Sequence, residues 1–200
     1  MSETHTAPRF LPIIAFLCLA AFSGVEAQEA QGSASAARGD EYRSGVELET
    51  FSLVNQYRKA SNLPPLAWAG AISKVARAHS EDMATGEVDF GHDGFGDRVS
   101  RLKTVMIGVW GAGENVAMTQ NLDQVARKAV TLWLNSPHHL KNIRGDYNYS
   151  GLGVWQDKNG AIYFTQIFVK TKSPNEQAQA APKLPTLFGI FASSFTRSAP

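Results

Sequence analysis

Apolar positions recur at helical spacing along three stretches of the chain. Phe51, Val54 and Tyr57 share one side of a segment from about Val46 to Ala60. Ile72, Val75, Ala76, His79 and Met83 keep helical offsets within a segment from about Ala69 to Thr85, and Gly86 supplies its stop. Leu122, Val125, Ala126, Ala129 and Trp133 form a third stripe, reaching Leu134, with Asn121 placed as its N-cap. Asn62-Leu63-Pro64-Pro65 closes the first helix, because proline disfavours helical geometry in the residue before it. Residues 87–98 are rich in glycine and aspartate and predict an ordered loop, from which Asp97 caps a short helix through Leu102. Val105 to Val109 reads as a strand, and Ser136-Pro137 as the start of a further short helix.

The pattern then changes period. Gly151 to Gln156 and Ala161 to Val169 flank Asp157-Lys158-Asn159-Gly160, a strong hairpin signal. In the second strand Tyr163, Thr165 and Ile167 share one face and Phe164, Gln166 and Phe168 the other. Large apolar groups on both faces predict helices above and below the sheet.

Composition bounds the rest. A chain of 200 residues, 44% hydrophobic, supports one domain with appendages, and a formal charge of +1 without basic clusters gives no nucleic-acid partner. Arg9 precedes an apolar run from Leu11 to Phe22, too short to span a bilayer, and Val25-Glu26-Ala27 offers a cleavage site. Residues 1–27 are therefore expected to be a secretory signal, with secretion to the extracellular or periplasmic space. The single cysteine, Cys18, lies in that run, so the exported domain is expected to be held by its core without disulfides. Residues 28–45, rich in Ala, Ser, Gly and Gln, read as a flexible linker. Residues 46–170 form the domain, and 171–200 a Pro/Gln/Ala tail in which Leu184, Leu187, Phe188, Phe191 and Phe195 make a short apolar segment. Contact with a membrane is expected only through the signal or that segment. Asn148-Tyr149-Ser150 matches an N-glycosylation triplet.

The chemistry concentrates in three polar clusters: Phe90-Gly91-His92, Gly113-Glu114-Asn115 and the stretch from Trp133 to Asn142 containing His138 and His139. Two imidazoles and a carboxylate are ligand types that zinc prefers, and three of them leave a fourth position open. Their separations are far from a local zinc motif, so spacing alone does not show that they meet. His79, on an apolar stripe, reads as a core histidine with one hydrogen bond. Neither a Gly-x-Ser-x-Gly elbow nor a phosphate-cradling glycine loop is present.

In order along residues 48–169 stand Leu53-Val54-Asn55 with Arg58, Leu63-Pro64-Pro65-Leu66, Ala78-His79-Ser80, Phe90-Gly91-His92, Gly113-Glu114-Asn115, Ser136-Pro137-x-His139-x-x-Asn142-Ile143, Gly151-x-Gly153 and Thr165-Gln166-x-Phe168. This series resembles the CAP superfamily, the SCP domain of cysteine-rich secretory proteins, antigen 5 and plant pathogenesis-related group 1 proteins, in its bacterial form. The resemblance implies an α+β fold: a three-layer α-β-α sandwich around a central antiparallel sheet. It selects His139 over His138. Many members carry a cleft of two histidines and two glutamates. Here His92 and Glu114 match one of each, while Ser136 and Tyr163 stand where the other two would be.

The resulting expectation is a secreted, non-enzymatic binding module with a metal-capable cleft of His92, Glu114 and His139. Ser136, Tyr163, Thr165 and Asn115 would be hydrogen-bond partners around it, zinc or another divalent cation the cofactor, and a lipid or cell-envelope component the ligand. The alternatives are a metal-dependent peptidase or esterase using the same cleft, and a purely structural trio that knits loops together.

Overall fold

The structure, a computed structural model, describes residues 18–120 and 122–172. The expected signal therefore lies mostly outside the described residues, as do Asn121 and the apolar segment of the tail. The chain falls into two units, Met1–Val46 and Glu47–Pro200. Helix α1 spans Cys18–Ala60. Its portion up to Val46 supplies the described part of the first unit, where Arg43 pairs with Asp40 one turn away. Residues 28–45, whose composition reads as a flexible linker, are helical. Ala, Gln, Glu and Arg are good helix formers, and no proline stands between Pro12 and Pro64 to interrupt them.

In the second unit the elements follow as β1 (Ala67–Trp68), α2 (Gly70–Thr85), α3 (Phe95–Val105), β2 (Val109–Thr119), α4 (Val125–Leu134), α5 (Pro137–Arg144), β3 (Tyr149–Gln156) and β4 (Ile162–Thr171). The sheet order is β1-β3-β4-β2. β3, β4 and β2 are antiparallel, and the two-residue β1 runs parallel to β3. The predicted hairpin is β3–β4, its turn tied by Asp157 Oδ1 accepting from the backbone N–H groups of Asn159 and Ala161.

Helices cover both faces, which gives the three-layer α-β-α sandwich. On one face Ile72 and Ala76 of α2 and Leu102 of α3 pack on Ile167 and Val169. On the other, Trp133 of α4 meets Phe164 edge-on at 6.5 Å and donates its indole N–H to the Val116 carbonyl at 2.9 Å. The alternation of β4 assigns its two sets of side chains to these two layers. α2 lies unusually close to β3. A Cβ at Gly153 would stand 2.1 Å from the Arg77 backbone nitrogen, and one at Gly151 2.4 Å from that of Ser73.

Arg58, almost fully buried, ties several loops at once. It donates to the carbonyls of Pro64, Ile143 and Gly145, so it joins the loop after α1 to the end of α5. Asn148 of the glycosylation triplet is engaged too: its amide donates to Thr171 Oγ1 and its oxygen accepts the Thr171 N–H, while Ser150 is fully buried.

Several boundaries differ from expectation. α3 begins at Phe95, after Gly94 in the left-handed region (φ 74°), and runs through Val105. The strand predicted at Val105 to Val109 starts only at Val109 and continues to Thr119. α4 starts at Val125 behind Gln124, itself left-handed at φ 49°.

Candidate functional site

β2 is an edge strand, and the site is built across its free side. Glu114 pairs in register with Ile167, which turns its side chain toward the α2–α3 layer. Asn115, next along the strand, turns toward α5. There its amide donates to the His139 carbonyl at 3.1 Å, and its oxygen accepts from Asn142, which also donates to the Glu114 carbonyl. Close packing at this corner requires Gly113: a Cβ there would lie 2.6 Å from the Tyr147 hydroxyl.

His92 sits on the loop between α2 and α3. His79, only 2% exposed, is the core histidine the apolar stripe predicted, and its Nε2–H donates to the Gly91 carbonyl at 2.9 Å. The loop is held a second time by Arg98 of α3, which donates to the carbonyls of Asp93 (2.8 Å) and His92 (3.3 Å). Thus placed, His92 donates from Nδ1 to Glu114 Oε1 at 3.0 Å. Its ring centre is 6.3 Å from that of His139. The three clusters therefore meet.

They meet around a fourth residue that the sequence reading did not single out. Arg98 donates to Glu114 Oε2 from Nε at 2.8 Å and to Oε1 from a terminal nitrogen at 2.7 Å. Both partners are buried, at 8% and 5% exposure, so this is a desolvated, bidentate, charge-assisted pair. A buried carboxylate demands a counter-charge, and it is the fold that reveals both the burial of Glu114 and the answering Arg98.

The imidazoles differ in environment. Burial lowers the pKa of His79, partly offset by its bond to the Gly91 carbonyl. Burial also lowers that of His139, with His92 and His138 adding to the effect. His139 Nδ1 is buried without a hydrogen-bond partner.

The donor set does not fit a divalent metal as arranged. Three acceptor positions of Glu114 are taken by Arg98 and His92. An ion bound to that carboxylate would lie about 4 Å from the guanidinium, a repulsion of roughly 8 kcal/mol at an effective dielectric near 20. If Glu114 serves only to orient His92 through Nδ1, two imidazoles remain, short of the three or four protein ligands zinc takes. Among the described residues, no three His, Cys, Asp or Glu side chains gather as a metal set.

The expected partners divide. Ser136 is the residue that caps α5, yet its hydroxyl makes no capping bond. It lines a groove of about 490 Å³ together with Phe90, His92, Val116, Met118, Leu132, Trp133 and His139. Tyr163 does not line it but meets Phe90 edge-on at 6.3 Å. Thr165 lies elsewhere: it is fully buried under α2 and accepts from Ser80 Oγ at 2.8 Å. Met118 and Leu132 also border a second depression, of about 600 Å³, whose far side carries Arg127 and Lys128. Among the described residues, no helix is long and apolar enough to cross a membrane.

Known proteins share this arrangement of elements. The family model described as CAP, the cysteine-rich secretory protein family, matches residues 51–168. The uncharacterized protein YkwD of Bacillus subtilis is 34% identical over 128 residues, 63% of this chain and 48% of its own length. The uncharacterized membrane protein YlbC of the same organism is 35% identical over 127 residues, 62% of this chain and 34% of its own. This chain therefore spans half or less of either relative. An extracellular protein containing an SCP domain from Bacillus anthracis superposes with a TM-score of 0.56 at 33% identity, covering 68% of this chain and 43% of that one. An outer surface protein from Borrelia burgdorferi shares the fold, with a TM-score of 0.53 at 22% identity, covering 61% of this chain and 90% of that one. With its family model matched over more than half its length, the chain belongs to the CAP family of cysteine-rich secretory proteins.

Proposed function

We propose that this domain is a secreted, non-enzymatic binding module that takes a small amphipathic ligand, of the lipid class, in the groove over the β2 edge. The observation that carries the reading is the lining of that groove. Phe90, Val116, Met118, Leu132 and Trp133 give it apolar walls, and His92, Ser136 and His139 form a polar end. Phe90 and Leu132 are about half exposed despite their size. An apolar wall with a few convergent polar groups is the usual make-up of a small-molecule site. Arg127 and Lys128, across Met118 and Leu132, would favour an acidic headgroup at the outer end. The metal-dependent hydrolase finds no such support, because its metal ligand Glu114 is held by Arg98.

A fluorescent fatty-acid probe tests this. The protein is expected to bind it with saturable enhancement of emission. Leu132→Glu, a change at a half-exposed position, is expected to abolish the signal while leaving the melting temperature nearly unchanged. Equal binding by the variant would contradict the groove as the site.

A further inference from the structure

We infer that Arg98 is the built-in cation of this cleft: it stands against Glu114 where a divalent metal would otherwise stand, and it makes the site metal-independent. Four contacts support this. The guanidinium takes both carboxylate oxygens of Glu114, at 2.8 and 2.7 Å, and the backbone carbonyls of Asp93 and His92, at 2.8 and 3.3 Å. A metal bridging Glu114 to the imidazoles would do the same two jobs. It would neutralise the buried carboxylate, and it would fix the loop that carries His92.

Arginine does both without leaving an open coordination position. Its planar fork matches the carboxylate edge, which a lysine ammonium cannot do. Oε1 accepts from Arg98 and, as a carboxylate oxygen with a second acceptor position, also from His92 Nδ1. That bond sets the tautomer, so Nε2 is the unprotonated nitrogen of the neutral ring. Arg98 is therefore a positioning residue. It acts on the cleft through Glu114 and His92. The inference does not depend on which ligand occupies the groove, so its failure and that of the binding proposal are separable.

The test is a calorimetric zinc titration of the whole protein, followed in parallel by the imidazole nitrogen resonances. Wild type is expected to give no zinc-dependent shift of His92 or His139, and a His92 signal of the Nδ1–H form that chelator leaves unchanged. Arg98→Met removes the charge and frees Glu114. It is expected to tighten zinc binding at least about tenfold, since even strongly screened repulsion from a charge about 4 Å away is worth that much. Adding His139→Ala is expected to remove the gain. Zinc binding by wild type that is lost in Glu114→Gln would overturn the inference, and that result needs no Arg98 variant to fold. A folded Arg98→Met protein with unchanged zinc affinity would overturn it as well.

Discussion

At the scale of single residues, the site is organised by a buried ion pair. Removing one member of such a pair leaves an uncompensated charge in the interior. Arg98→Ala is therefore expected to cost about 3–5 kcal/mol in urea unfolding. Arg101→Ala, an exposed change on the same helix, is expected to stay within about 0.5 kcal/mol of wild type. His79 gives a second expectation. Its folded-state pKa is held below the ordinary 6.5 by burial, so the unfolded chain takes up the proton first. Its contribution to stability is full above about pH 6.5 and drains as pH falls through the lower folded-state value. His139 is shifted in the same direction and adds to the slope. Melting temperatures between about pH 7.5 and 5 should fall accordingly, and His79→Gln, which keeps a donor for the Gly91 carbonyl, should flatten part of the decline. The sequence located His92, Glu114 and His139, because their neighbours are distinctive. It passed over Arg98, because an arginine early in a short, charged helix has no local sign of burial. Only the fold brings it under Glu114.

At the scale of elements, period was a good guide wherever side chains alone decide the structure. α2, its stop at Gly86 with φ 80°, and the β3–β4 hairpin follow the pattern closely. β2 did not, and the reason is specific. The sequence placed a strand only at Val105 to Val109, yet Gly111, Gly113, Glu114 and Asn115 lie in one because β4 supplies a complete partner from Val169 back to Ile162. The edge position lets polar residues reach out of the sheet toward α3 and α5. The glycines of β3 carry a different constraint: Gly153→Ala would drive a Cβ to 2.1 Å from the α2 backbone. Overpacking of this kind costs about 1–3 kcal/mol or more. Differential scanning calorimetry should show a clear loss of melting temperature for Gly153→Ala. Gly91→Ala, with nothing within 4 Å of its Cβ, should show little.

At the scale of the whole molecule, the sandwich does one thing for function: it places the end of α4, the start of α5 and the loop after α2 around one free strand edge. Their apolar side chains wall a groove, and His92, Ser136 and His139 stand at its polar end, with His92 held by the Glu114 carboxylate. The class of fold was readable from both faces of β4 and from the order of the clusters. The contact of Arg98 with Glu114 was not, since it depends on how the fold sets α3 against β2. The most direct test of the resulting account is an NMR titration of the protein with a long-chain fatty acid in excess chelator, followed at the methyl groups of Val116, Met118 and Leu132. The account predicts saturable shifts at these three and none at Ile72, which is fully buried between α2 and the sheet. Absence of shifts, or shifts that appear only when zinc is restored, would contradict it.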